Sequence, residues 1–425
     1  MFKVDRISFT DSGTKITYDY SHSPEVAVFL NKKQQFFAEY DLDVSSVPAS
    51  IAIIPLLANI APIAWFAGFD IEAGDVDADF IAALAKIKAE LQIHYPELAS
   101  KKSNLICNPV ANTVAAGKSA MLFSGGVDAF ATFFRHYSET PALITIQGAD
   151  IDLTDDTQWN NVVRFNENES MLEPNQKHYI KANLRTFYTY QVDLLLQNLS
   201  WWGNIQHGLA LIGVCAPLSY LKEFQLLYIA STRSATMEFN PWGSMPETDE
   251  KISWAGIKVI HDGFELKRQD KVDLIVDAVT KLQKNTTIRV CYSELKDGLN
   301  CSQCEKCIRT IFGIVLAGGD PKNFGFSADA DLYKRIDLIL EKGFKSKGTQ
   351  FFWYELFEKG QNNDRFFVFS DFDKEKQQID RILQKIERDA GNDLVRPSAL
   401  KKIKHVLIHK YPGVFKIYMK LRRAI

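Results

Sequence analysis

The sequence Ala120-Met-Leu-Phe-Ser-Gly-Gly-Val-Asp-Ala129 decides the fold, because it predicts a strand, a tight turn and a helix in direct succession. The apolar residues 121–123 predict a buried parallel strand, and the aromatic spacing of residues 127–137 predicts a helix. The two glycines between them can adopt backbone angles that other residues avoid, and they leave space for an anion at the helix N-terminus. We therefore predict that the backbone amides of this turn bind a pyrophosphate group.

The side chains around the glycines suit the same ligand. Ser124 supplies a hydroxyl, and Asp128 supplies a carboxylate that can hold a Mg²⁺ ion arriving with the phosphates. The alternative interpretation is a glycine turn that merely joins a strand to a helix. A strand before the turn and a helix after it favour the phosphate-binding interpretation.

Residues 124–128, Ser-Gly-Gly-Val-Asp, resemble the PP-loop of the ATP pyrophosphatases, a family that cleaves ATP between its α- and β-phosphates. The resemblance implies that Ser124 and Asp128 take part in catalysis and that the whole loop binds ATP. The remaining members of the loop are Gly125, Gly126 and Val127. The family's motif ends in a second serine, which Ala129 replaces here, so one phosphate-facing hydroxyl is missing. A nucleotide-binding regulator with weak or no catalysis is therefore an alternative.

The composition predicts a folded protein of more than one domain. The chain has 425 residues, of which 46% are hydrophobic, enough for two or three cores. We predict an amino-terminal α/β domain over residues 1–112, a PP-loop domain over residues 113–325 and a helical extension over residues 326–425. The uncharged residues 51–68 approach the length of a membrane span, but their two prolines and one asparagine favour a buried strand and helix. Because no signal-peptide core follows Met1, we expect a cytoplasmic protein.

Two further buried strands are predicted over residues 141–148 and 225–230. In an α/β sheet, ligands collect at the carboxyl ends of such strands. The residues after the second strand are candidates for binding an acidic or phosphorylated group: Ser231, Thr232 and Arg233. The PP-loop family binds adenine and ribose at the end of the first strand, which implies this role for Ile146 and Gln147. The alternatives are a core strand with a polar end and a helix-capping turn.

Helices are predicted over residues 184–199 and 206–222. His207 begins the second helix, and we interpret it as structural more than catalytic, because a single histidine is usually a satisfied structural residue. Arg268 and Lys271 lie three residues apart at the start of another predicted helix. Solvent is the favoured partner of these two cations, and a phosphate group is the alternative.

Four of the six cysteines cluster between residues 291 and 307, after a predicted strand over residues 287–291. Their spacing, one cysteine followed ten residues later by Cys-x₂-Cys-x₂-Cys, fits a single tetrahedral Zn²⁺ ion in a closed, structural site. An iron–sulfur cluster is the alternative, because four cysteines ligate it equally well. The predicted ligands are Cys291, Cys301, Cys304 and Cys307. Such a site would fix the loop against a helix predicted over residues 305–316.

A PP-loop followed by this cysteine pattern resembles the 7-cyano-7-deazaguanine synthases of the queuosine pathway over residues 118–320. The resemblance implies a doubly wound parallel α/β sheet of the PP-loop type, with ATP, Mg²⁺ and a structural Zn²⁺. It also implies that a small carboxylate, a deazapurine acid for example, is activated as an acyl-adenylate and attacked by ammonia or an amine. The expected assembly is a homodimer. A protein substrate and the modification of tRNA or a nucleobase are alternatives.

The end of the chain is basic and amphipathic. Nine lysines and arginines but no acid follow Asp393, and apolar residues are mixed with them over residues 401–423. Such a tail can contact an anionic membrane or nucleic acid. The favoured interpretation is a helix that packs its apolar face on the domain and leaves its cations in water.

Overall fold

The structure is a computed structural model that describes the chain in six stretches, residues 1–114, 117–197, 200–237, 242–291, 298–344 and 346–390. Ten strands of these stretches form one sheet: β1 (Phe2–Thr10), β2 (Lys15–His22), β3 (Phe37–Tyr40), β4 (Ile71–Asp77), β5 (Leu105–Val110), β6 (Lys118–Leu122), β7 (Ala142–Gln147), β8 (Lys177–Ala182), β9 (Phe224–Ala230) and β10 (Lys258–Asp262). The α-helices are α1 (Ala49–Ala52), α2 (Ile54–Ala67), α3 (Ala78–His94), α4 (Val127–Arg135), α5 (Asp156–Asn168), α6 (His207–Gly213), α7 (Ala216–Lys222), α8 (Pro246–Asp249), α9 (Arg268–Leu282), α10 (Glu305–Leu316), α11 (Leu332–Glu341), α12 (Lys347–Gln361) and α13 (Phe372–Ala390). The α/β class is confirmed.

The five strands of the middle region are parallel and lie in the order β10-β9-β6-β7-β8. The chain therefore begins in the centre with β6, moves outward on one side through β7 and β8, and then crosses to the other side. This order creates a topological switch point beside β6, where doubly wound sheets have a crevice at the carboxyl ends of their strands. The strands predicted over residues 141–148 and 225–230 are confirmed as β7 and β9.

The amino-terminal strands continue this sheet. β3 pairs antiparallel with β8, with Ala38 opposite Ala182, and β2 and β1 follow in antiparallel order. Beyond β1 the sheet ends with β4 and β5, which are again parallel. Hydrogen-bonded strands thus join the regions on the two sides of the domain boundary predicted at residues 112 and 113, and the boundary itself stays a prediction.

The uncharged residues 51–68 are helical, so the strand predicted in part of this segment is wrong. All residues of α2 but the last are buried, and Gly68 ends the helix in the left-handed conformation at φ +82°. The polar Asn59 is satisfied inside the core, because its amide donates to the Pro55 carbonyl at 2.8 Å and its oxygen accepts from Gln206 Nε2 at 2.6 Å. A helix that is apolar on every side is stable only when it is surrounded. None of the helices that the structure describes is long and apolar enough to span a bilayer.

Two other helix predictions need correction. In place of the helix predicted over residues 184–199, the described residues form turns and one 3₁₀ turn, and Tyr188 joins a β-bridge. Threonines and tyrosines are frequent there, and such side chains lose rotamer freedom in a helix. The helix predicted over residues 206–222 divides into α6 and α7, because Pro217 has no N–H to donate to the Gly213 carbonyl.

The strand predicted over residues 287–291 is absent. Its amides bond to loops and not to a neighbouring strand: Ile288 N donates to the Phe324 carbonyl at 3.1 Å, and Arg289 N donates to the Gly125 carbonyl at 2.7 Å. The segment therefore links the first cysteine of the cluster to the glycine turn after β6.

The helices of the carboxyl-terminal extension pack on the middle region. Side chains of α11, α12 and α13 share one apolar cluster with α9 and α10, and the Trp353 side chain in α12 is fully buried. The helical prediction is confirmed for these three elements. Residues 391–425, which carry the basic tail, lie outside the described residues. The packing predicted for this tail therefore stays a prediction.

Candidate functional site

A cavity of about 450 Å³ opens at the carboxyl ends of the central parallel strands. Residues at the ends of β6, β7 and β9 line it together with residues of α4, α9, α10 and α12. The lysines, arginines and acids on its wall are Arg185, Arg268, Arg289, Lys306, Arg309, Asp128 and Asp150. With five cations and two acids among the described residues, this cavity suits an anionic ligand.

The glycine turn after β6 forms one side of this cavity. Gly125 has φ +73°, a left-handed angle that favours glycine, and Gly126 precedes the first turn of α4. Gly126 N lies 3.3 Å from Ser124 Oγ, and Arg289 Nε donates to the Ser124 carbonyl at 3.0 Å. Ser124, Gly126 and Val127 line the cavity, so the turn lies on the cavity wall.

Arg289 supports the turn from outside it. Only 7% of this residue is exposed, and its backbone and Nε atoms donate to the carbonyls of Gly125 and Ser124. Its Nη1 atom has no hydrogen-bond partner among the residues that the structure describes. A buried guanidinium with an unused donor, on the wall of a cavity, is suited to an anionic ligand.

Asp128, in the first turn of α4, is held by two cations of α9. Its Oδ2 atom lies 2.5 Å from Arg268 Nη1, and its Oδ1 atom lies 3.4 Å from Lys271 Nζ. Burial raises the pKa of Asp128, but Arg268 and Lys271 outweigh this effect and hold the pKa below its usual value. The side chains of Arg268 and Lys271 are 17% and 2% exposed, and both face Asp128. The interpretation that solvent is the partner of these two cations is therefore wrong.

A second group of cations lies on α10 and is supported by α12. Arg309 Nε bonds to Glu305 at 2.7 Å, and its Cζ atom lies 4.7 Å from the centre of the Phe352 ring. Arg268 Cζ lies 5.9 Å from the same ring. Burial, with the charges of Arg268 and Arg309, lowers the pKa of Lys306 to about 8. The helical extension thus contributes an aromatic surface beneath two cations of the cavity.

Aromatic side chains line another part of the cavity. The His207 ring lies 5.2 Å from the Trp202 ring and 5.5 Å from the Trp242 ring, measured between centroids. Arg185 Cζ lies 5.2 Å from the centre of Trp202. Burial lowers the pKa of His207, against the opposite effect of Asp150 and Asp249, and so favours the neutral form of its ring. These rings offer stacking surfaces to a planar ligand.

The remaining predicted residues divide between the cavity and the core. Ile146 and Thr232 line the cavity. Gln147 is not among the lining residues, and its amide donates to the Asp152 carbonyl at 3.2 Å. Ser231 is also buried away from the cavity, because its hydroxyl donates to the Arg233 carbonyl at 2.7 Å.

The side chain of Arg233 lies beside the aromatic part of the site. Its Cζ atom is 5.3 Å from the centre of the Trp242 ring, which lines the cavity. Ala129 is on the wall itself and is 3% exposed, so its methyl group borders the cavity.

The four clustered cysteines meet at one point. Their Sγ atoms all lie within 4.8 Å of one another, and the pairs Cys291–Cys304 and Cys301–Cys307 are both 3.8 Å apart. Four such atoms can hold a metal ion such as zinc, and they form the only set of three or more histidine, cysteine or acidic ligands found in the described part of the chain. Hydrogen bonding from Cys307 lowers the pKa of the Cys304 thiol to about 5. The prediction that these four cysteines lie together is confirmed, and the cluster could hold a metal ion such as zinc.

The cavity residues that were not predicted from the sequence include Arg289, Lys306, Arg309 and Phe352. The first three lie within fifteen residues of a predicted metal ligand, so their signal was basic residues interspersed with the cysteines. Phe352 had no local signal, because it reaches the site only through the packing of α12 on α9 and α10.

Comparison of the chain with protein-family models, with curated proteins and with solved structures gives no match. A function for this chain is therefore argued from the cavity, the glycine turn and the cysteine cluster.

Proposed function

We propose that this chain binds ATP in the cavity beside β6 and uses it to activate a carboxylate as an acyl-adenylate, which ammonia or an amine then attacks. The observation that carries the proposal is the glycine turn at the switch point, on a cavity wall that also holds five cations. Backbone amides at a helix N-terminus together with arginine and lysine side chains are the usual partners of phosphate groups.

The proposed reaction has two steps. A carboxylate oxygen of the substrate attacks the α-phosphorus of ATP, the bond from that phosphorus to the bridging oxygen of the β-phosphate breaks, and pyrophosphate leaves. Ammonia or an amine then attacks the carbonyl carbon, loses a proton and displaces AMP. Such a reaction depends on positioning and on neutralising phosphate charge more than on an acid–base pair.

The aromatic part of the cavity supports a planar second substrate. Trp202 and Trp242 both line it, and their rings can stack on such a ligand. Arg185, which lies beside the Trp202 ring, adds a positive charge that suits a carboxylate group. A carboxylated deazapurine is the first compound to test, with ammonium as the nitrogen donor. The proposed substrates are thus ATP and this carboxylate. The proposal also includes that the chain acts in the cytoplasm and assembles as a homodimer.

We propose zinc as the metal of the cysteine cluster. A metal–sulfur distance of about 2.3 Å places the sulfurs of a regular tetrahedron about 3.8 Å apart. The Cys291–Cys304 and Cys301–Cys307 sulfur pairs have this separation. In an iron–sulfur cluster the four thiolates ligate different irons or are divided between two, so their sulfurs are spread wider than the 4.8 Å within which all four lie here. A site with four thiolates leaves no ligand position for water, which supports a structural role between the glycine turn and α10.

Product analysis tests the proposed enzyme. The full chain is incubated with ATP, Mg²⁺, ammonium and a panel of carboxylates, and AMP with pyrophosphate is separated from ADP with phosphate. Formation of AMP and pyrophosphate that depends on one carboxylate is the expected result and identifies the substrate. ADP and phosphate as the only products would contradict the proposed reaction.

A nucleotide-binding regulator is the second candidate, and Ala129 is the observation that favours it. The methyl group on the cavity wall cannot donate a hydrogen bond to a phosphate oxygen, as a serine would. Tight ATP binding without cleavage for any carboxylate of the panel would favour this candidate over the enzyme.

A further inference from the structure

The acid in the glycine turn is bonded to the protein's own cations. Mg²⁺ at phosphate sites is usually held by one or two carboxylates together with the phosphates. Both oxygens of Asp128 face side-chain nitrogens, at 2.5 Å for Arg268 and 3.4 Å for Lys271. A divalent ion at Asp128 would have to displace these contacts or lie beside two positive charges. The donor set at the turn therefore does not fit Mg²⁺.

The second acid on the wall is Asp150. Its charge acts on His207 at the aromatic side and on Lys306 at the cationic side. Among the described residues, the four cysteines are the only group of three or more possible metal ligands, and neither Asp128 nor Asp150 belongs to such a group. Mg²⁺ at the turn is disfavoured by the two cations that Asp128 already faces.

Positive charge is concentrated where the phosphates would lie. Arg268 from α9, Lys306 and Arg309 from α10, and Arg289 from the segment before the cysteine cluster all line the same cavity as the glycine turn. Arg289 and Arg309 are each only 7% exposed. Charges buried to this degree are costly unless an opposite charge or hydrogen-bond acceptors compensate them.

These cations are held in place by neighbours. Arg309 bonds to Glu305 Oε1 at 2.7 Å, and the same oxygen accepts from Trp353 Nε1 at 2.9 Å. Phe352 lies beneath both Arg309 and Arg268. Helix α12 of the extension thus fixes the positions of two guanidinium groups, which is the preorganisation that strengthens anion binding.

We propose that this cluster, Arg268, Arg289, Lys306 and Arg309, binds the diphosphate group of the ligand directly and neutralises its charge without a Mg²⁺ ion at Asp128. Phe352 of the helical extension is a positioning residue of the cluster. The assignment of the diphosphate to the β,γ-phosphates of ATP rests on the proposed function, whereas metal-free binding of a diphosphate does not. Asp128 serves to orient Arg268 and Lys271.

The first test is the binding of inorganic pyrophosphate to the full chain, measured by calorimetry in EDTA and again with Mg²⁺. Direct neutralisation by the cluster predicts dissociation constants that agree within about threefold. Pyrophosphate binding that weakens by about tenfold or more in EDTA would overturn the proposal. The test is independent of turnover, because pyrophosphate binding in EDTA by a chain that never cleaves ATP supports the cluster and contradicts the enzyme.

Two cations of α9 provide a matched pair of variants. Arg268→Gln removes a charge that faces the cavity, and Lys281→Gln removes one that pairs with Asp277 in solvent, with 74% of the lysine side chain exposed. We expect Arg268→Gln to weaken pyrophosphate binding in EDTA at least about tenfold and Lys281→Gln to leave it unchanged. Equal affinities of the two variants would contradict the proposal.

Asp128→Asn distinguishes an acid that orients cations from an acid that ligates Mg²⁺, because the two roles change the affinity for pyrophosphate in opposite directions. The asparagine oxygen can still accept a hydrogen bond from Arg268, so the variant keeps the orienting contact but loses the negative charge. If Asp128 orients cations, more net positive charge then remains near the anion, and pyrophosphate binds more tightly in EDTA and in Mg²⁺ alike. If Asp128 ligates Mg²⁺, the variant binds pyrophosphate more weakly when Mg²⁺ is present, and the proposal fails.

Phe352→Leu, which keeps an apolar side chain but removes the ring, is expected to weaken pyrophosphate binding with unchanged circular dichroism. Unchanged binding would remove the positioning role of Phe352.

Discussion

The guanidinium group of Arg268 lies 2.5 Å from the carboxylate of Asp128, and both side chains are 17% exposed. This ion pair joins the start of α9 to the first turn of α4. Lys271, one turn later in α9, reaches the other carboxylate oxygen. The glycine turn is therefore connected to α9, whose neighbours α10 and α12 supply the rest of the cationic wall.

Asp128→Ala should destabilise the fold. It leaves Arg268 and Lys271 without their shared acid, and removing one partner of a buried pair costs about 3–5 kcal/mol. Asp277→Ala is the matched control, because it breaks a solvent-exposed pair of the same helix and should change stability by less than about 1 kcal/mol. Urea unfolding measures both, and equal midpoints for the two variants would argue against a buried ion pair.

Gly125→Ala should impair ligand binding beyond its effect on stability. An alanine at φ +73° is strained by about 1–2 kcal/mol, and its methyl group lies 3.5 Å from Phe165 and 3.6 Å from Arg289. Gly256→Ala carries the same type of backbone strain at φ +77° with no atom within 4 Å of the added carbon. We expect similar unfolding free energies for both variants, but weaker ATP binding only for Gly125→Ala, measured by calorimetry. A parallel loss of ATP affinity in both would exclude a direct role of the turn.

Ala129→Ser restores the hydroxyl that the PP-loop resemblance leads us to expect. Because Ala129 lines the cavity, a serine there can donate to a phosphate oxygen. For a weakened enzyme we expect turnover to rise about tenfold or more, as when one transition-state donor is added. The measurement is the rate of AMP formation in native protein and variant. No turnover in either protein, together with ATP binding in both, would support the regulator.

Cys304→Ser should release the metal. Native protein is expected to contain about one zinc ion per chain, and the variant much less, because three thiolates no longer close the site. Cys107→Ser is the control, since Cys107 lies in β5, away from the cluster. Metal analysis and thermal unfolding read out the change. Iron in place of zinc would contradict the metal assignment and leave the ligand set intact.

Glu355→Gln should change how stability depends on pH. Burial raises the pKa of Glu355 to about 7 from 4.5, partly opposed by the amide of Gln269 and the charge of Arg268. Asp270, which raises it further, and Lys267, which lowers it, are the other charges acting on the group. Between pH 4.5 and pH 7 the folded chain therefore keeps a proton that the unfolded chain loses, and stability falls as pH rises through this range.

The Glu355→Gln variant removes this loss of stability with rising pH. We expect it to be more stable than the native protein at pH 8 by up to about 3 kcal/mol, and nearly equal to it at pH 4. Glu358→Gln, on the same helix but with a side chain 40% exposed, serves as the control. Chemical unfolding at the two pH values provides the comparison, and parallel pH profiles of native protein and Glu355→Gln would refute the expectation.

The sequence predicted those parts of the fold whose signals are local. An apolar run, two glycines and a helical aromatic spacing lie side by side between residues 120 and 137, and they form β6, the turn and α4. The helix predicted over residues 305–316 is confirmed with the same bounds as α10. The cysteine cluster was predictable because three of its four ligands come from one short segment.

Long-range packing decided the rest. Nothing near Arg289 indicates that its backbone bonds to Gly125, and Phe352 reaches the cavity from a helix that the resemblance did not cover. Residues 184–199 show helical spacing, yet the bridge at Tyr188 ties them to a segment near the start of the chain. In each case a partner far away in sequence outweighed the local pattern.

Strand β3 pairs with β8, a strand that the ribosome makes much later. Tyr40 is made well before its partner Ile180, and at about 5–20 residues per second the ribosome needs roughly 10–30 s to supply the intervening chain. During that interval β3 has an unpaired edge, which is a template for association with other nascent chains. Glu39, the one charged residue of β3, then protects this edge. This chain should accordingly be more prone to aggregate while it is being translated than after its release.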